Sequence, residues 1–178
     1  MSKNDNTKLL IQTAAKELTT MNERLAVVCH ETVPPAKELP EDETVHAMYG
    51  VGDGTTAQLM AEIGDVRNYP RRSSIVAFAG IDPEVNQPGK MNPESNPSCK
   101  RGSPHLRKTL YQIMTAYLRL MPQDELACQF LEKKRTEGKP YYVYMTAGAN
   151  KFLCSYYACV KEHMAQLVGA TETNTKSI

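Results

Sequence analysis

The chain has 178 residues, of which 41% are hydrophobic, and a formal net charge of +1. That length allows one sizeable buried core. The five cysteines form no C-x-x-C pair, and with four histidines they show no zinc-ligand spacing, so we expect free thiols in the cytoplasm. A polar first stretch and the lack of a long apolar run predict neither a standard secretory signal nor a membrane-spanning helix.

Charge is distributed unevenly along the sequence. Residues 31–65 hold eight acids against one base, whereas residues 95–123 hold five bases and no acid. This asymmetry favours a basic face for a polyanion beside an acidic face for a different partner. The alternative is ordinary solvated charge on the outer faces of helices.

The first predicted element is a helix over residues 7–29, at the centre of an N-terminal arm of residues 1–30. Its apolar residues recur at spacings of three and four, at Leu10, Ala14, Leu18, Met21, Leu25 and Val28. This stripe suits a coiled-coil arm that pairs with another chain, and packing against the chain's own core is the alternative. Three prolines then predict a linker over residues 31–42.

Residues 43–65 have the order helix, glycine turn, helix. The first helix is predicted over residues 44–49 and the second from about Thr55 to a stop at Gly64. This order resembles a helix-hairpin-helix motif, in which the backbone of the turn approaches an anion and the second helix offers it free amides.

Four residues of this motif are candidate DNA contacts, namely Gly50, Gly52, Thr55 and Thr56. Thr55 or Thr56 could cap the second helix and also contact a phosphate oxygen. The alternative is an ordinary helical hairpin with a glycine turn. The acids Asp53 and Glu62 count against phosphate binding because they would repel it.

The rest of the chain is also predicted to be helical, which gives an all-α fold. Residues 71–79 predict a short helix, with a strand as the alternative. Three longer helices are predicted over residues 104–121, 123–137 and 141–164, and the second of them is expected to bury Leu126, Phe130 and Leu131. The main domain would then span residues 43–165, followed by a disordered tail of residues 166–178.

A Pro/Gly-rich loop interrupts the helices within FAGIDPEVNQPGKMNPESNPSCKRGSPHLRK, residues 78–108. Its prolines exclude regular structure, and an irregular loop of this length in a compact domain is either functional or disordered. Its exit is basic, where cations and helix amides can meet phosphates. The candidate contacts there are Lys90, Lys100, Arg101, His105, Arg107 and Lys108.

Three stretches in this order, MYGVGDGTTAQLMAEIGD, SSIVAFAGIDPEVNQPGK and SCKRGSPHLRKTLYQIM, carry a family resemblance. They resemble the C-terminal transposase domain of the IS110 (IS116/IS902-type) insertion-sequence transposases, the bridge-RNA-guided DEDD recombinases, over residues 43–163. The resemblance implies DNA transposition, with DNA and a guide RNA as partners. It also implies a RuvC-like domain with metal-binding acids, and a serine in the loop that attacks DNA.

The sequence departs from this family pattern in two ways. The position of the serine, before Gly89, holds Pro88, which has no hydroxyl and cannot be a nucleophile. Ser95, Ser98 and Ser103 are alternatives, but a shift of this size would lose the positioning that the attack requires, and they suit turn and cap positions.

The second departure is that these 178 residues hold no RuvC-like half. The resemblance therefore implies a truncated transposase that is catalytically incompetent alone and has no cofactor of its own, because magnesium would belong to the missing domain. The alternative is a non-enzymatic nucleic-acid-binding or regulatory partner of a full-length transposase. The partner through residues 7–29 would be that transposase or a second copy of this chain.

Overall fold

The computed structural model describes residues 3–82 and 98–175, with side chains for residues 5–82 and 98–169. Within these ranges the fold is all-α, as the sequence predicts, with seven α-helices and one short 3₁₀ turn at Val66–Asn68. The helices are α1 (Lys3–Lys37), α2 (Asp42–His46), α3 (Asp53–Ile63), α4 (Arg72–Ala79), α5 (Pro104–Leu120), α6 (Leu126–Thr136) and α7 (Tyr141–Thr175).

The core lies between α5 and α7, with α3, α4 and α6 packed around them. The buried stripe of α5 consists of Leu106, Leu110, Ile113 and Tyr117, each at most 1% exposed. From α7 the ring of Phe152 meets that of Tyr117 edge-on, with 6.3 Å between centroids. Burial of such large apolar side chains is the main source of stability for a domain of this size.

Local signals set several helix ends as predicted. Ser103 caps α5 and Pro104 is its first residue. Gly64 ends α3 with a positive φ of 63°, and Gly80 ends α4 in the left-handed conformation that glycine adopts at low cost. Residues 72–79 are helical, so the strand alternative is wrong.

The first helix is longer than predicted. It continues to Lys37 through Pro34 and Pro35, so the predicted break after residue 29 is wrong, and most of the supposed linker is helical. The two prolines leave the carbonyls of His30 and Glu31 without amide partners. Both residues are exposed, so water can satisfy those carbonyls.

The apolar stripe of α1 does not pack on the described core. Leu10 is 73% exposed, Leu18 64%, Met21 63%, Leu25 60% and Val28 53%. Contact with the domain is made instead near the C-terminal end of α1, where Ala36 packs against the core. Of the two alternatives for this stripe, packing against the chain's own core is therefore wrong for the described residues.

The last two helices differ from the prediction in their faces and in one boundary. In α6, Leu126 is 59% and Phe130 37% exposed, while Ala127, Cys128 and Leu131 are buried against α7. Burial of Leu126 and Phe130 was therefore wrongly predicted. The last helix runs to Thr175, where a tail without structure was expected from residue 166, because that stretch holds no proline to stop a helix.

None of the helices in residues 3–82 and 98–175 combines the length and the apolar composition needed to cross a bilayer.

Candidate nucleic-acid interface

The two ends of the Pro/Gly-rich loop are hydrogen-bonded to each other. The backbone amides of Cys99, Lys100 and Ser103 donate to the carbonyls of Asp82, Gly80 and Phe78, over 3.0, 3.1 and 2.7 Å. The thiol of Cys99 also donates to the Asp82 carboxylate over 2.7 Å. We call these two segments, residues 78–82 and 98–103, the neck of the loop. Residues 83–97, with Pro88, Lys90 and Ser95, lie outside the described part of the chain.

Glycine is required where the two sides of the neck touch. A Cβ atom on Gly102 would lie 1.9 Å from the carbonyl oxygen of Phe78 and 2.6 Å from the amide nitrogen of Gly80. Both distances are far shorter than any van der Waals contact, and both atoms belong to the backbone. The close approach of the two segments therefore depends on the missing side chain of Gly102.

Two side chains fasten the neck to the helices around it. Arg107 of α5 is half-buried, and its Nη1 donates to the carbonyl of Ala79 over 3.0 Å. The hydroxyl of Ser103 accepts from the amide of Leu106 and donates to the carboxylate of Glu62 in α3 over 2.8 Å. Arg107 and Ser103 thus act as braces, and the cap role expected of Ser103 is confirmed.

Four exposed side chains, Lys100, Arg101, His105 and Lys108, surround the exit of the neck and the first turns of α5. We call them the basic face. Lys100 has a positive φ of 53°, which turns the chain sharply just before α5. Among the described residues, none of the four makes an ion pair within 4.0 Å. Among the described residues, the charges of Lys100, Arg101 and Lys108 are therefore open to an external anion.

The glycine turn before α3 is shaped by packing. Gly50 has a φ of +74°, and a Cβ there would meet the ring of Tyr117 at 3.2 Å. Gly52 is the N-cap of α3, with no side-chain cap, so the expected capping by Thr55 or Thr56 is wrong. Thr56 is 1% exposed, and its hydroxyl lies 3.5 Å from Nδ1 of His46. Of the two threonines, only Thr55 is partly exposed.

A carboxylate already occupies the first turn of α3. Asp53 Oδ2 accepts from Lys37 Nζ at the end of α1 over 3.0 Å, and this hydrogen bond holds the pKa of Asp53 below its usual value. An anion in this position interacts favourably with the helix dipole and repels a second anion. The intramolecular contact between α1 and α3 thus competes with phosphate at the glycine turn.

The structure does not bring the glycine turn and the basic face together. The end of α3 lies beside the start of α5 through Glu62 and Ser103, whereas Gly50 contacts Tyr117 near the other end of α5. From Ser103 to Tyr117 the helix rises roughly 20 Å. The glycine turn and the basic face are therefore two separate surfaces, at opposite ends of the antiparallel pair formed by α3 and α5.

The neck contacts were not foreseeable from local patterns. Glu62 and Ser103 are 41 residues apart, and Arg107 and Ala79 are 28 apart. In the sequence Arg107 looks like its exposed neighbour Lys108, because both are basic and stand in the same helical turn. The packing of α4 against α5 makes the difference, because it brings the Ala79 carbonyl within hydrogen-bond distance of Arg107 and leaves Lys108 exposed.

The described residues hold no cluster of three or more His, Cys, Asp or Glu side chains that could bind a metal ion. All five cysteines are free thiols, with Cys128 buried and Cys29 and Cys159 exposed. Burial raises the pKa of the Cys128 thiol, which disfavours the reactive thiolate.

Comparison with known proteins places this site in a family. Residues 42–128 match the family described as "Transposase IS116/IS110/IS902 family". The chain carries a domain of this transposase family. The segment runs from the start of α2 into α6, so it contains the glycine turn, the neck and the basic face. The family prediction made from the three sequence stretches is thereby confirmed.

A curated relative agrees with this assignment. The chain is 32% identical over 103 residues to "Putative transposase y4rJ" of Sinorhizobium fredii (strain NBRC 101917 / NGR234). The aligned part is 57% of this chain and 26% of the relative, so the chain spans about a quarter of that protein.

Proposed function

We propose that this transposase-family chain binds DNA through the basic face and has no strand-transfer activity by itself. The observation that carries the proposal is the set of exposed basic side chains at the exit of the neck, which form no ion pair among the described residues and lie within the family segment. In the family resemblance this loop carries the nucleophile, so cations at its exit would hold the DNA backbone beside it. Such contacts with phosphates position a protein without reading sequence.

Two of the candidate DNA contacts, Arg107 and Thr56, are not available to a phosphate. Arg107 is committed to the Ala79 carbonyl and Thr56 is buried, so the proposal leaves both out of the interface. Gly52 and Thr55 remain accessible, although Asp53 between them opposes a phosphate. The proposed interface is therefore the basic face, with Lys90 as a further candidate from the sequence.

The first test is binding of a DNA duplex as a function of salt. The double variant Arg101→Ala/Lys108→Ala is expected to bind more weakly and to flatten the slope of log affinity against log salt by about 2, since each lost phosphate contact removes roughly 0.9. The control Lys8→Ala/Lys16→Ala removes the same charge from exposed positions on α1 and should keep the slope. An unchanged slope in the first variant would exclude the basic face as the DNA-binding surface.

The proposed lack of activity rests on the chain's own residues. Pro88 supplies no hydroxyl at the expected nucleophile position. Ser103 caps α5 and hydrogen-bonds Glu62, so its hydroxyl is engaged on both sides. The acids that a RuvC-like domain would supply are not among these 178 residues. Guide RNA, if it acts here, would likewise need the remainder of a full-length transposase.

Incubation of the purified chain with DNA and magnesium is expected to give no covalent protein–DNA adduct on a denaturing gel. The variant Pro88→Ser restores a hydroxyl and is the matched comparison. It is also expected to form no adduct by itself, because the metal-binding acids are still lacking. An adduct formed by the parent chain would overturn the proposed inactivity.

We further infer that α1 pairs with a second copy of itself. Ile11, Leu18 and Leu25 recur every seven residues, and so do Ala14, Met21 and Val28, which together form one coiled-coil seam. The seam is exposed along most of its length. A solvent-exposed seam of this kind is stabilised when a matching helix covers it.

The charges beside the seam favour an antiparallel pair. Glu17 and Arg24 occupy the same position relative to the seam, one heptad apart. Consider an antiparallel pair aligned so that Leu18 of one copy packs against Met21 of the other. In this alignment Glu17 of each copy lies opposite Arg24 of its partner. A parallel pair would set these two residues against Asn22 and Cys29 instead and form no ion pair.

A further inference from the structure

A second surface lies at the turn between α6 and α7, which follows the family segment. Tyr142 is 73% exposed and Tyr141 46%. The ring of Tyr141 packs edge-on against Tyr142, with 5.3 Å between centroids, and against Tyr144, with 5.4 Å. These contacts fix the orientation of the three rings relative to one another. The ring of Tyr142 is nevertheless open to solvent over most of its surface.

This cluster is not explained by the core. The buried face of α7 begins at Met145 and continues through Ala149 and Phe152, and Tyr142 lies on the same face one turn earlier, where its ring is 73% exposed. Single exposed aromatic residues are common, but adjacent ones indicate a binding surface.

The segment that leads from α6 into these rings is cationic. Residues 132–139 hold four bases and two acids, which leaves a net charge of +2. Glu137 pairs with Lys134 over 2.8 Å and Glu132 with Arg135 over 3.1 Å. Lys133 and Lys139 make no ion pair within 4.0 Å among the described residues, and α7 has no acid in its first turn. The hydrogen bond from Lys134, followed by the charges of Lys134, Lys133 and Lys139, lowers the pKa of Glu137.

We propose that this surface, which we call the tyrosine platform (Lys133, Lys139, Tyr141 and Tyr142), binds single-stranded nucleic acid. Unpaired bases would stack on the tyrosine rings while the two lysines face the phosphates. Aromatic side chains in a cationic setting bind single strands in this way, because every base has a flat face to offer. A duplex keeps its bases stacked inside and cannot use the rings. The platform would therefore bind single strands through their bases, whereas the proposed ligand of the basic face is the sugar-phosphate backbone of a duplex.

The test compares oligonucleotides of equal length. Tyr142→Ala is expected to weaken binding of a uridine or thymidine homopolymer roughly fivefold or more, since stacking on one aromatic ring contributes about 1–3 kcal/mol. Tyr142→Phe keeps the ring and should bind as the parent does. An abasic strand of the same charge should bind the parent more weakly and be indifferent to Tyr142→Ala. The chain has nine tyrosines and no tryptophan, so the part of the tyrosine quenching that Tyr142→Ala abolishes reports the stacking.

Two results would overturn the platform. One is single-strand binding that Tyr142→Ala leaves unchanged, and the other is equal weakening of duplex and single strand by that variant. A thermal melt of Tyr142→Ala should match the parent, because the side chain is 73% exposed. The ratio of uridine to thymidine homopolymer affinity distinguishes RNA from DNA as the ligand. Arg101→Ala/Lys108→Ala is expected to spare the base-dependent part of the affinity, so failure of the basic face and failure of the platform are distinguishable.

Discussion

Replacement of Gly102 with alanine is expected to destabilise the chain by roughly 3 kcal/mol, near the upper end of the range for overpacking. The new methyl group would lie 1.9 Å from the carbonyl oxygen of Phe78. That carbonyl is also the acceptor for the amide of Ser103, so relief of the clash must stretch or break this hydrogen bond. Thermal denaturation should show a midpoint lower by roughly 6–12 °C for a chain of this length.

The matched control is Gly54→Ala. Gly54 lies inside α3, and a Cβ there would meet nothing within 4 Å. Alanine is the better helix former, so this variant should be equal to the parent or more stable by up to about 1 kcal/mol. A Gly102→Ala midpoint within about 1 °C of the parent would show that the neck is not closed as described.

The neck also connects stability to the proposed interface. Lys100 and Arg101 stand on one of its two segments, and Lys100 is fixed by the hydrogen bond from its amide to Gly80. If the neck opens, these cations lose their fixed positions relative to Lys108 on α5. Gly102→Ala is therefore expected to weaken duplex binding at temperatures where the chain is still folded.

The second large effect is expected in the arm. Leu18→Ser/Leu25→Ser should raise the dissociation constant of the proposed α1 pair at least about 100-fold, because each copy loses two buried leucines that contribute about 1.5–3 kcal/mol apiece. Leu9→Ser is the control, since Leu9 is 56% exposed on the opposite face of the helix. Sedimentation equilibrium measures the dissociation constant of the double variant and of the control. A parent chain that stays monomeric at high concentration would contradict the pairing, and association with a full-length transposase alone would identify a different partner.

A charge exchange tests the direction of the pair. Glu17→Arg is expected to weaken an antiparallel pair roughly tenfold, since two attractions become two repulsions of modest size. The double variant Glu17→Arg/Arg24→Glu restores opposite charges and should recover the parent affinity. A parallel pair would be nearly indifferent to both changes, because these residues then face Asn22 and Cys29.

How far the sequence predicts this molecule depends on the range of the interactions involved. The stripe of α5 and the ends of α3, α4 and α5 follow from periodicity, caps and glycines within a few residues. The predicted C-terminal boundary of α1 was wrong because prolines disfavour a helix but do not forbid it. The helix can continue where water satisfies the carbonyls that lose their amide partners. The face of α6 was wrong because its pattern allows more than one apolar side, and contact with α7 selects Ala127, Cys128 and Leu131.

For the loop and its exit, too, some features follow from the local sequence and others depend on packing. The family, the all-α class and the absence of a hydroxyl at Pro88 can be read from the sequence, because each depends only on the identity and order of residues along the chain. The packing of the helices was needed to show that Arg107 hydrogen-bonds the Ala79 carbonyl, that Thr56 is buried, and that the glycine turn and the basic face are separate surfaces. Those distinctions depend on contacts between helices that are distant in sequence, and residues of one chemical type take different roles according to what packs beside them.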